Sequence, residues 1–316
     1  MGRSSEQGQT TGEAPAAGPG HRLLLVVNEH SARADADLKR GIEALRGCGL
    51  EVETEHPATI EASRATLSTA RDRGASCILV AGGDGTLNQL VDALLETRLP
   101  IGLVPLGTAN VLARTLGLPL DPEQACRVAA TGRIRWIDVG RVNGHPFLTV
   151  ASLGLSSRVA RDSTPERKRQ LGPFSYVLAA ASAAFSADPI EVDLELPERS
   201  LHLRAIQIDV ANSHHLGHHG IEADAEPDDG LLTVTALRAR SRWALVLELW
   251  RFWRRRVRQS GESLIHRATR VEVRSKRPLA IDADGEPAGS TPAVFEIHPR
   301  TLPVVVPASD PRSEAG

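Results

Sequence analysis

Lysine is almost missing from this sequence of 316 residues. It occurs only at Lys39, Lys168 and Lys276, so arginine supplies nearly all of the positive charge. No glycine-rich segment ends in the lysine with which a P-loop holds phosphates, and this excludes a nucleotide site of the P-loop type. Any nucleotide would have to be bound by backbone amides, hydroxyl groups, arginines, or a metal ion held by carboxylates.

Cysteines and long hydrophobic runs are also scarce. The three cysteines, Cys48, Cys77 and Cys126, lie far apart, which excludes a disulfide framework and a cysteine metal site. No segment is long and apolar enough to span a bilayer. The first 20 residues lack the apolar run of a signal peptide. We therefore expect a cytoplasmic protein that at most lies peripherally on the inner face of the membrane.

An excess of positive charge is missing too. Lysine and arginine (37) nearly balance aspartate and glutamate (39), and the formal net charge is -2. This balance argues against a nucleic-acid partner. One basic patch exists in the tryptophan- and arginine-rich segment 243–256. Such a segment is typical either of a helix in transient contact with a membrane surface or of a helix packed on its own domain with solvated arginines.

What the sequence does contain is a change of pattern near Trp136. Before it, short apolar runs such as Leu23–Val27, Cys77–Ala81 and Ile101–Val104 alternate with helical patterns, which predicts a doubly wound parallel sheet. After it, short alternating segments separated by Gly, Pro and Asp turns predict an antiparallel β domain. Two helices, at 174–185 and 242–258, interrupt that domain.

The sharpest chemical motif is the segment GGDGTLN, which joins the strand Cys77–Ala81 to the helix after it. Glycines let the backbone approach phosphate oxygens, and the start of a helix presents free amides and positive charge to an anion. Thr86 adds a hydroxyl donor. The carboxylate of Asp84 is useful there if it holds Mg²⁺ or receives a proton. A tight turn capped by Asp84 is the structural alternative.

Three further segments place polar groups in turns. The segment PLGTAN follows the strand Ile101–Val104 and carries Gly107, Thr108 and Asn110 at the neighbouring position of the same sheet edge. The segment DADGE ends in Glu286. The segment EPDDGL can hold a hard cation through a carboxylate and backbone carbonyls. Each also fits an ordinary turn or a capped helix start.

Together, GGDGTLN, PLGTANVLAR, DDGLL, DGE and FEIHPR resemble the bacterial diacylglycerol kinase catalytic-domain family, whose relatives include sphingosine, ceramide and NAD kinases. The resemblance covers about Leu23 to Pro307. It implies an α/β plus β fold, in which a Rossmann-like parallel-sheet N-terminal domain is followed by an antiparallel β-sandwich domain. The expected units are a disordered tail at 1–20, a nucleotide-binding domain at 21–137, a lipid-substrate domain at 138–297 and a disordered tail at 308–316. A strand at 298–307 would return to the first domain.

The resemblance also implies an activity, which is transfer of the γ-phosphate of ATP to a lipid hydroxyl with Mg²⁺ as cofactor. Glu286 would accept the proton, and Asp84 would organise the metal. A cation site would use Glu226, Asp229 and Leu231. The expected nucleotide-binding residues are Asn28, Gly82, Gly83, Asp84, Gly85, Thr86, Leu87, Asn88, Gly107, Thr108 and Asn110. The acceptor lipid stays undetermined, and a homodimer stays open.

Three departures from the family pattern keep alternatives open. Gln89 stands where the family often has glutamate, the segment after Asn28 lacks the usual Pro and Gly, and the loop His214–His219 carries four histidines. The histidines would form either a solvated loop or a transition-metal site. A catalytically degenerate relative that binds nucleotide or lipid is one alternative function. An NAD kinase-like enzyme is another, although its Asn-Glu motif is not found after the GGDGT helix.

Overall fold

The computed structural model describes residues 20–28, 35–154, 189–212, 215–216, 219–220, 226–237 and 263–309. The predicted helices at 174–185 and 242–258 lie outside the described residues, and so do the side chains of the loop His214–His219. None of the helices in the described ranges has the length and apolar character that crossing a membrane requires.

The first half of the chain alternates strands and helices. Its elements are β1 (Arg22–Val27), α1 (Asp35–Gly47), β2 (Glu51–Glu55), α2 (Ile60–Ser68), β3 (Cys77–Gly82), α3 (Asp84–Thr97), β4 (Ile101–Pro105), α4 (Val111–Thr115) and α5 (Pro122–Thr131). Strands β1, β3 and β4 are apolar and almost wholly buried because helices cover both faces of a parallel sheet.

The second half is built of strands in the described residues. They are β5 (Arg133–Val142), β6 (His145–Phe147), β7 (Val150–Gly154), β8 (Ile190–Leu196), β9 (Arg199–Ala205), β10 (Gln207–Ala211), β11 (His215–Leu216), β12 (His219–Gly220), β13 (Leu232–Leu237), β14 (Ser263–Ala268), β15 (Arg270–Ser275), β16 (Ala280–Ala283), β17 (Glu286–Ser290) and β18 (Ala293–Val306). Several alternate buried and exposed positions, as β8 does, which is typical of strands with one face in a core.

Two large sheets organise these strands. The first has the order β2-β1-β3-β4-β18-β15-β8-β9, with β5 paired to β18 and β6 to β5. Its β2-β1-β3-β4 part is parallel, whereas β18, β15, β8 and β9 are antiparallel neighbours. The second sheet has the order β14-β13-β10-β7-β16-β17. The predicted fold class, a parallel α/β domain followed by an antiparallel β-sandwich, is confirmed.

Apolar side chains from both sheets fill the sandwich. One buried cluster joins Phe147 of β6, Val210 of β10 and Phe295 of β18 with residues of most other strands of the second half. Two more clusters cover the two faces of the parallel strands. The parallel-sheet domain and the sandwich therefore have hydrophobic cores of their own.

Several element boundaries differ from the sequence prediction. The helical pattern in the sequence predicts a helix over Leu87–Glu96, but α3 begins at Asp84, inside the glycine-rich segment. The apolar pattern of Phe147–Val150 predicts one strand, but that strand is interrupted, because Leu148 and Thr149 leave the ladder and donate their amides to a carboxylate. Helix α5 was not predicted, although Asp121 caps it and Pro122 starts it.

Candidate active site

The site begins where three parallel strands end side by side. Strand β1 pairs with β3 up to Val27 and Ala81, and β3 pairs with β4 up to Gly82 and Pro105. The residue after β1, Asn28, continues this pairing through its amide, which donates to Ala81 O at 3.0 Å. The loops that follow the three strands therefore lie at one edge of the sheet, where ligands of open α/β sheets bind.

Asn28 and Thr86 are in direct contact at this edge. The Asn28 side-chain amide donates to Thr86 Oγ1 at 2.8 Å. The Thr86 side chain in turn packs over Gly82, where a Cβ atom would come within 2.8 Å of it. Gly82 is therefore required by packing, and the accepted hydrogen bond leaves the Thr86 hydroxyl proton available to a ligand.

The first turn of α3 presents free backbone donors. Its N-cap residue, Gly83, provides no side-chain cap. Within the described residues, the amides of Asp84 and Gly85 have no acceptor. Gly85 is exposed, and a Cβ atom there would have no neighbour within 4 Å in the described chain. This exposed helix start has the donors and the partial positive charge that phosphate oxygens require.

The PLGTAN segment packs directly against this turn. Leu106 donates its amide to Gly82 O at 2.9 Å, and a Cβ atom on Gly83 would lie 3.0 Å from the Cα atom of Gly107. Asn110 is buried, and its side chain accepts from Gly107 N at 3.0 Å and donates to Gly107 O at 2.9 Å. Asn110 thus shapes the loop, while Thr108 is exposed at its tip.

Asp84 connects the two loops. Its Oδ1 atom accepts a long hydrogen bond of 3.4 Å from Leu112 N, in the first turn of α4. Asp84 is half-buried, and Leu87, one turn later in α3, is part of the hydrophobic core. Asp84 therefore lies at the sheet edge with carboxylate capacity left for a ligand, whereas Leu87 contributes only backbone to the site.

The DGE segment forms a two-residue hairpin turn in the second half of the chain. Asp284 and Gly285 have φ angles of 50° and 90°, and Ala283 pairs with Glu286 on either side of them. Gly285 N also donates to Asp282 Oδ1 at 2.9 Å. Such a turn fixes the backbone of Glu286 at the start of β17.

Asp284 is anchored by backbone rather than exposed to a substrate. Its carboxylate accepts hydrogen bonds from the amides of Leu148, Thr149 and Val150 at 2.6, 3.1 and 2.8 Å, and from the Thr149 hydroxyl. Burial raises the pKa of Asp284, and these four donors act in the opposite direction. With its oxygens engaged, Asp284 holds the turn in place, and of the two acids Glu286 has the freer carboxylate.

The two halves of the candidate site meet through α3. The Asn88 side-chain amide donates to Ala283 O at 3.0 Å, and the Gln89 side-chain amide donates to Glu286 Oε1 at 2.8 Å. Asn88 and Gln89 lie one turn beyond the glycine-rich start of the helix. The structure therefore brings the GGDGT loop and the DGE turn to one site.

A cleft of about 240 Å³ opens between α2 and α3 at this edge. Polar side chains from three segments line it. They are Asn28, Thr59, Ser63, Thr86 and Gln89. The α2 residues were not part of the sequence prediction, although Thr59, which caps α2 through Ala62 N at 3.1 Å, is a recognisable helix-start residue.

The predicted cation loop, EPDDGL, is tied to β5. Asp228 is paired with Arg135 at 2.6 and 2.9 Å, and Arg135 also contacts Glu226 at 3.0 Å. Burial would raise the pKa of Asp228, but the hydrogen bonds and charge of Arg135 lower it below its ordinary value. The loop also donates Gly230 N to the buried Asp138 at 2.7 Å, and burial raises the pKa of Asp138.

Asp229 has little carboxylate capacity left in this arrangement. Its oxygens accept from Glu226 N at 2.8 Å and Leu231 N at 2.9 Å, and from Arg267. Among the described residues, no group of three or more His, Cys, Asp and Glu side chains is arranged to hold a metal ion. A cation site of Asp229 with the main-chain oxygens of Glu226 and Leu231 stays a prediction.

Comparison with known proteins identifies the family of this chain. The diacylglycerol kinase catalytic domain family matches residues 22–142, and the YegS C-terminal NAD kinase beta sandwich-like domain matches residues 149–306. A diacylglycerol kinase of Bacillus subtilis is 30% identical over 295 residues, which cover 90% of this chain and 96% of that protein. A YegS-like probable lipid kinase of Pseudomonas fluorescens is 28% identical, over 92% of this chain and 97% of that protein.

Solved structures share the fold. The crystal structure of a diacylglycerol kinase from Bacillus anthracis superposes with a TM-score of 0.74 at 20% identity, over 93% of this chain and 98% of that one. The strand order, the glycine-rich turn, the DGE hairpin and the two domain matches lead to one assignment. The chain belongs to the diacylglycerol kinase family, with the catalytic domain of that family followed by a YegS-type β-sandwich domain.

Proposed function

We propose that this protein is an ATP-dependent lipid kinase, which transfers the γ-phosphate of ATP to a lipid hydroxyl group. The observation that carries the proposal is the contact between α3 and the DGE turn, through Asn88 to Ala283 and Gln89 to Glu286. This contact brings the start of α3, which can bind phosphate, close to the Glu286 carboxylate, which can accept a proton. The names of the relatives from Bacillus subtilis and Pseudomonas fluorescens support the same reaction class.

The nucleotide would bind along the edge where β1, β3 and β4 end. The free amides of Asp84 and Gly85 and the hydroxyl of Thr86 would hold phosphate oxygens, because a preorganised donor set can approach them closely at a glycine. The cleft beside Asn28 and Thr59 has room for further parts of the nucleotide. Thr108, exposed at the tip of the neighbouring loop, would add a second hydroxyl donor.

Glu286 would act as the proton acceptor. The lipid hydroxyl oxygen forms a bond to the γ-phosphorus, the bond from that phosphorus to the β–γ bridging oxygen breaks, and ADP leaves with the electron pair. The hydroxyl proton passes to the Glu286 carboxylate. Because the transition state of phosphoryl transfer is loose, most of the acceleration comes from positioning and charge stabilisation.

Mg²⁺ bound to the phosphates would neutralise their charge when present. Asp84 fits this role, because it is half-buried at the edge where β3 ends and its hydrogen bond from Leu112 N is long. The arginine-paired carboxylates of the EPDDGL loop fit it less well. Asp84 would hold the metal, while the backbone amides and Thr86 bind the phosphates.

A labelling experiment tests the proposal. Purified full-length protein is incubated with ATP labelled in its γ-phosphate, and separately with a total lipid extract, with diacylglycerol vesicles and with NAD as acceptor. We expect the label in a lipid phosphate and none in NADP. Label in NADP would replace the proposal by an NAD kinase, and ATP binding without label in any acceptor would replace it by a non-catalytic binding protein.

A further inference from the structure

Gln89 touches more of the candidate site than its place in the sequence suggests. Its side-chain amide donates to Glu286 Oε1 at 2.8 Å, and its side chain also borders the cleft next to Asn28 and Thr86. Its main-chain oxygen accepts two hydrogen bonds from the Arg64 guanidinium, at 2.8 and 3.2 Å. Gln89 is therefore fixed from α2 on one side and holds Glu286 on the other.

The chemistry of the two side chains gives this contact a direction. An ionised carboxylate only accepts hydrogen bonds, so the side-chain nitrogen of Gln89 must face it. Such a charge-assisted bond is short and directional. A glutamate at position 89, which the family pattern often has, could not donate to an ionised Glu286. The choice of glutamine in this chain therefore supplies a donor that the usual residue lacks.

The backbone and the side chain of Glu286 are held by different neighbours. The Asp284 carboxylate, which accepts from the Leu148–Val150 amides, and the Asn88 side chain, which donates to Ala283 O, hold the backbone of the turn. Those contacts leave the three torsions of the Glu286 side chain free, and it is half-buried at the end of a hairpin. Among the described residues, the side-chain amide of Gln89 is the group that donates a hydrogen bond to the Glu286 carboxylate.

We propose that Gln89 is a positioning residue, which holds the Glu286 carboxylate in the orientation that accepts the proton of the acceptor hydroxyl. The proposal rests on the proposed kinase function. Displacing a reacting group by about 1 Å costs about 100-fold in rate, so loss of this one contact is measurable in turnover. Gln89 itself exchanges no proton.

Three variants separate positioning from simple packing. Gln89→Leu removes the donor, and Gln89→Glu replaces it with a second carboxylate that repels the first. The double variant Gln89→Glu with Glu286→Gln restores one donor and one acceptor with their places exchanged. Gln124→Glu, at an exposed glutamine in the first turn of α5, is the matched control for the charge change.

Turnover is measured as transfer of labelled phosphate to the lipid that the wild type accepts, and stability as the thermal midpoint. We expect kcat to fall about tenfold or more in both Gln89→Leu and Gln89→Glu, with the control unchanged. The exchanged pair should recover the thermal midpoint that Gln89→Glu loses, yet stay inactive, because the carboxylate then lies on the wrong element.

Two results would overturn the role of Gln89. One is a Gln89→Leu variant with the kcat of the wild type, and the other is an exchanged pair that regains activity. A wild-type protein that labels no lipid would be a different failure, since it would remove the proposed function and the role assigned to Gln89 with it. If the wild type labels lipid and the Gln89 variants are as active as the wild type, only the role assigned to Gln89 is wrong.

Discussion

At the scale of single residues, the glycines of the GGDGT segment have two different reasons to be there. Gly82 and Gly83 are required by the protein itself, because Cβ atoms there would come within 2.8 Å of Thr86 and 3.0 Å of Gly107. Gly85 has no such neighbour in the described chain and has an ordinary helical backbone. Glycine at a helical position costs stability, so Gly85 is explained by a ligand that approaches it.

The open space around Gly85 leads to a prediction about both stability and ATP binding. Gly85→Ala should leave the free energy of unfolding unchanged or raise it by up to about 1 kcal/mol, because alanine is the better helix former. The same change should weaken ATP binding about tenfold or more, because the methyl group would stand where phosphate oxygens approach. Calorimetric titration with ATP and denaturant unfolding measure the two effects.

Gly83→Ala is the matched control for that pair. Its methyl group would press on Gly107, so we expect a loss of about 1–3 kcal/mol of stability as well as weaker binding. If Gly85→Ala instead bound ATP as tightly as the wild type, the assignment of this glycine to a ligand would be wrong.

A half-buried carboxylate in the second sheet gives a prediction about pH. Asp209 Oδ1 accepts from Ser152 and from Gln207, each at 2.6 Å, and burial raises its pKa against these donors. A raised pKa in the folded state means that Asp209 costs stability at high pH. The cost disappears as the pH falls through that pKa towards the ordinary value of about 4.

Asp209→Asn should therefore stabilise the protein by about 1 kcal/mol near pH 8, since asparagine keeps the Oδ1 acceptor without the buried charge. The difference in the free energy of unfolding between variant and wild type should shrink as the pH is lowered. Thermal unfolding of both proteins from pH 8 to pH 4.5 measures it. A gap that stayed constant or grew on acidification would contradict the burial argument.

At the scale of elements, the sequence predicted those segments whose patterns are dictated by local burial. Strands β1, β3 and β4 were recognisable because both of their faces are covered, so they are apolar without alternation. The GGDGT turn was recognisable because its residue types are costly elsewhere. Helix α5 was missed although Asp121 and Pro122 mark its start.

Contacts between elements distant in sequence could not be predicted in this way. The bonds from Asn88 to Ala283 and from Gln89 to Glu286 depend on how α3 packs against the hairpin of β16 and β17. Likewise, the spacing of two residues between Asp282 and Asp284 alone predicts that both face one way on a strand. Asp284 instead lies in the turn, where its positive φ and its bonds to the Leu148–Val150 backbone decide its direction.

The EPDDGL loop offers a prediction at this scale. Arg135 joins it to β5, and its side chain is only 14% exposed while it pairs with Asp228 and Glu226. Arg135→Met would keep the aliphatic stem but leave Asp228 without its cation. We expect a loss of about 2 kcal/mol at neutral pH and faster amide exchange in residues 226–231.

The pH dependence of this effect has a definite sign. Arg135 lowers the pKa of Asp228, so the stability it confers is present above the ordinary carboxyl pKa of about 4 and is lost as the pH falls through the lowered pKa. Arg274→Met, at an exposed arginine paired with Glu272, should cost much less stability than Arg135→Met, because solvent screens an exposed ion pair. Equal losses of stability in the Arg135→Met and Arg274→Met variants would show that the EPDDGL loop is not held in place by Arg135.

At the scale of the whole molecule, two strands join the halves of the chain. Strand β18 is antiparallel to β15 at its start and reaches the parallel sheet at its end, where Val304 pairs with Ile101 of β4. Strand β5 accompanies it over most of its length. Residue 137, the predicted boundary between the domains, falls inside β5.

This continuity connects the two parts of the candidate site. The edge where β1, β3 and β4 end belongs to the parallel strands, and the DGE turn belongs to the sandwich, so their relative position is set by β5, β18 and the α3 contacts. Such an arrangement suits the proposed phosphoryl transfer, because that reaction depends on positioning.

The most direct test of this account is transfer of labelled γ-phosphate from ATP to lipid by three proteins, namely the wild type, Asp84→Asn and Glu286→Gln, with Asp92→Asn on the same helix as control. We predict a labelled lipid for the wild type and the control. Losses of about 100-fold or more are expected in the two site variants, with thermal midpoints close to the wild type. Undiminished transfer by either site variant would contradict the claim that these two carboxylates serve one reaction.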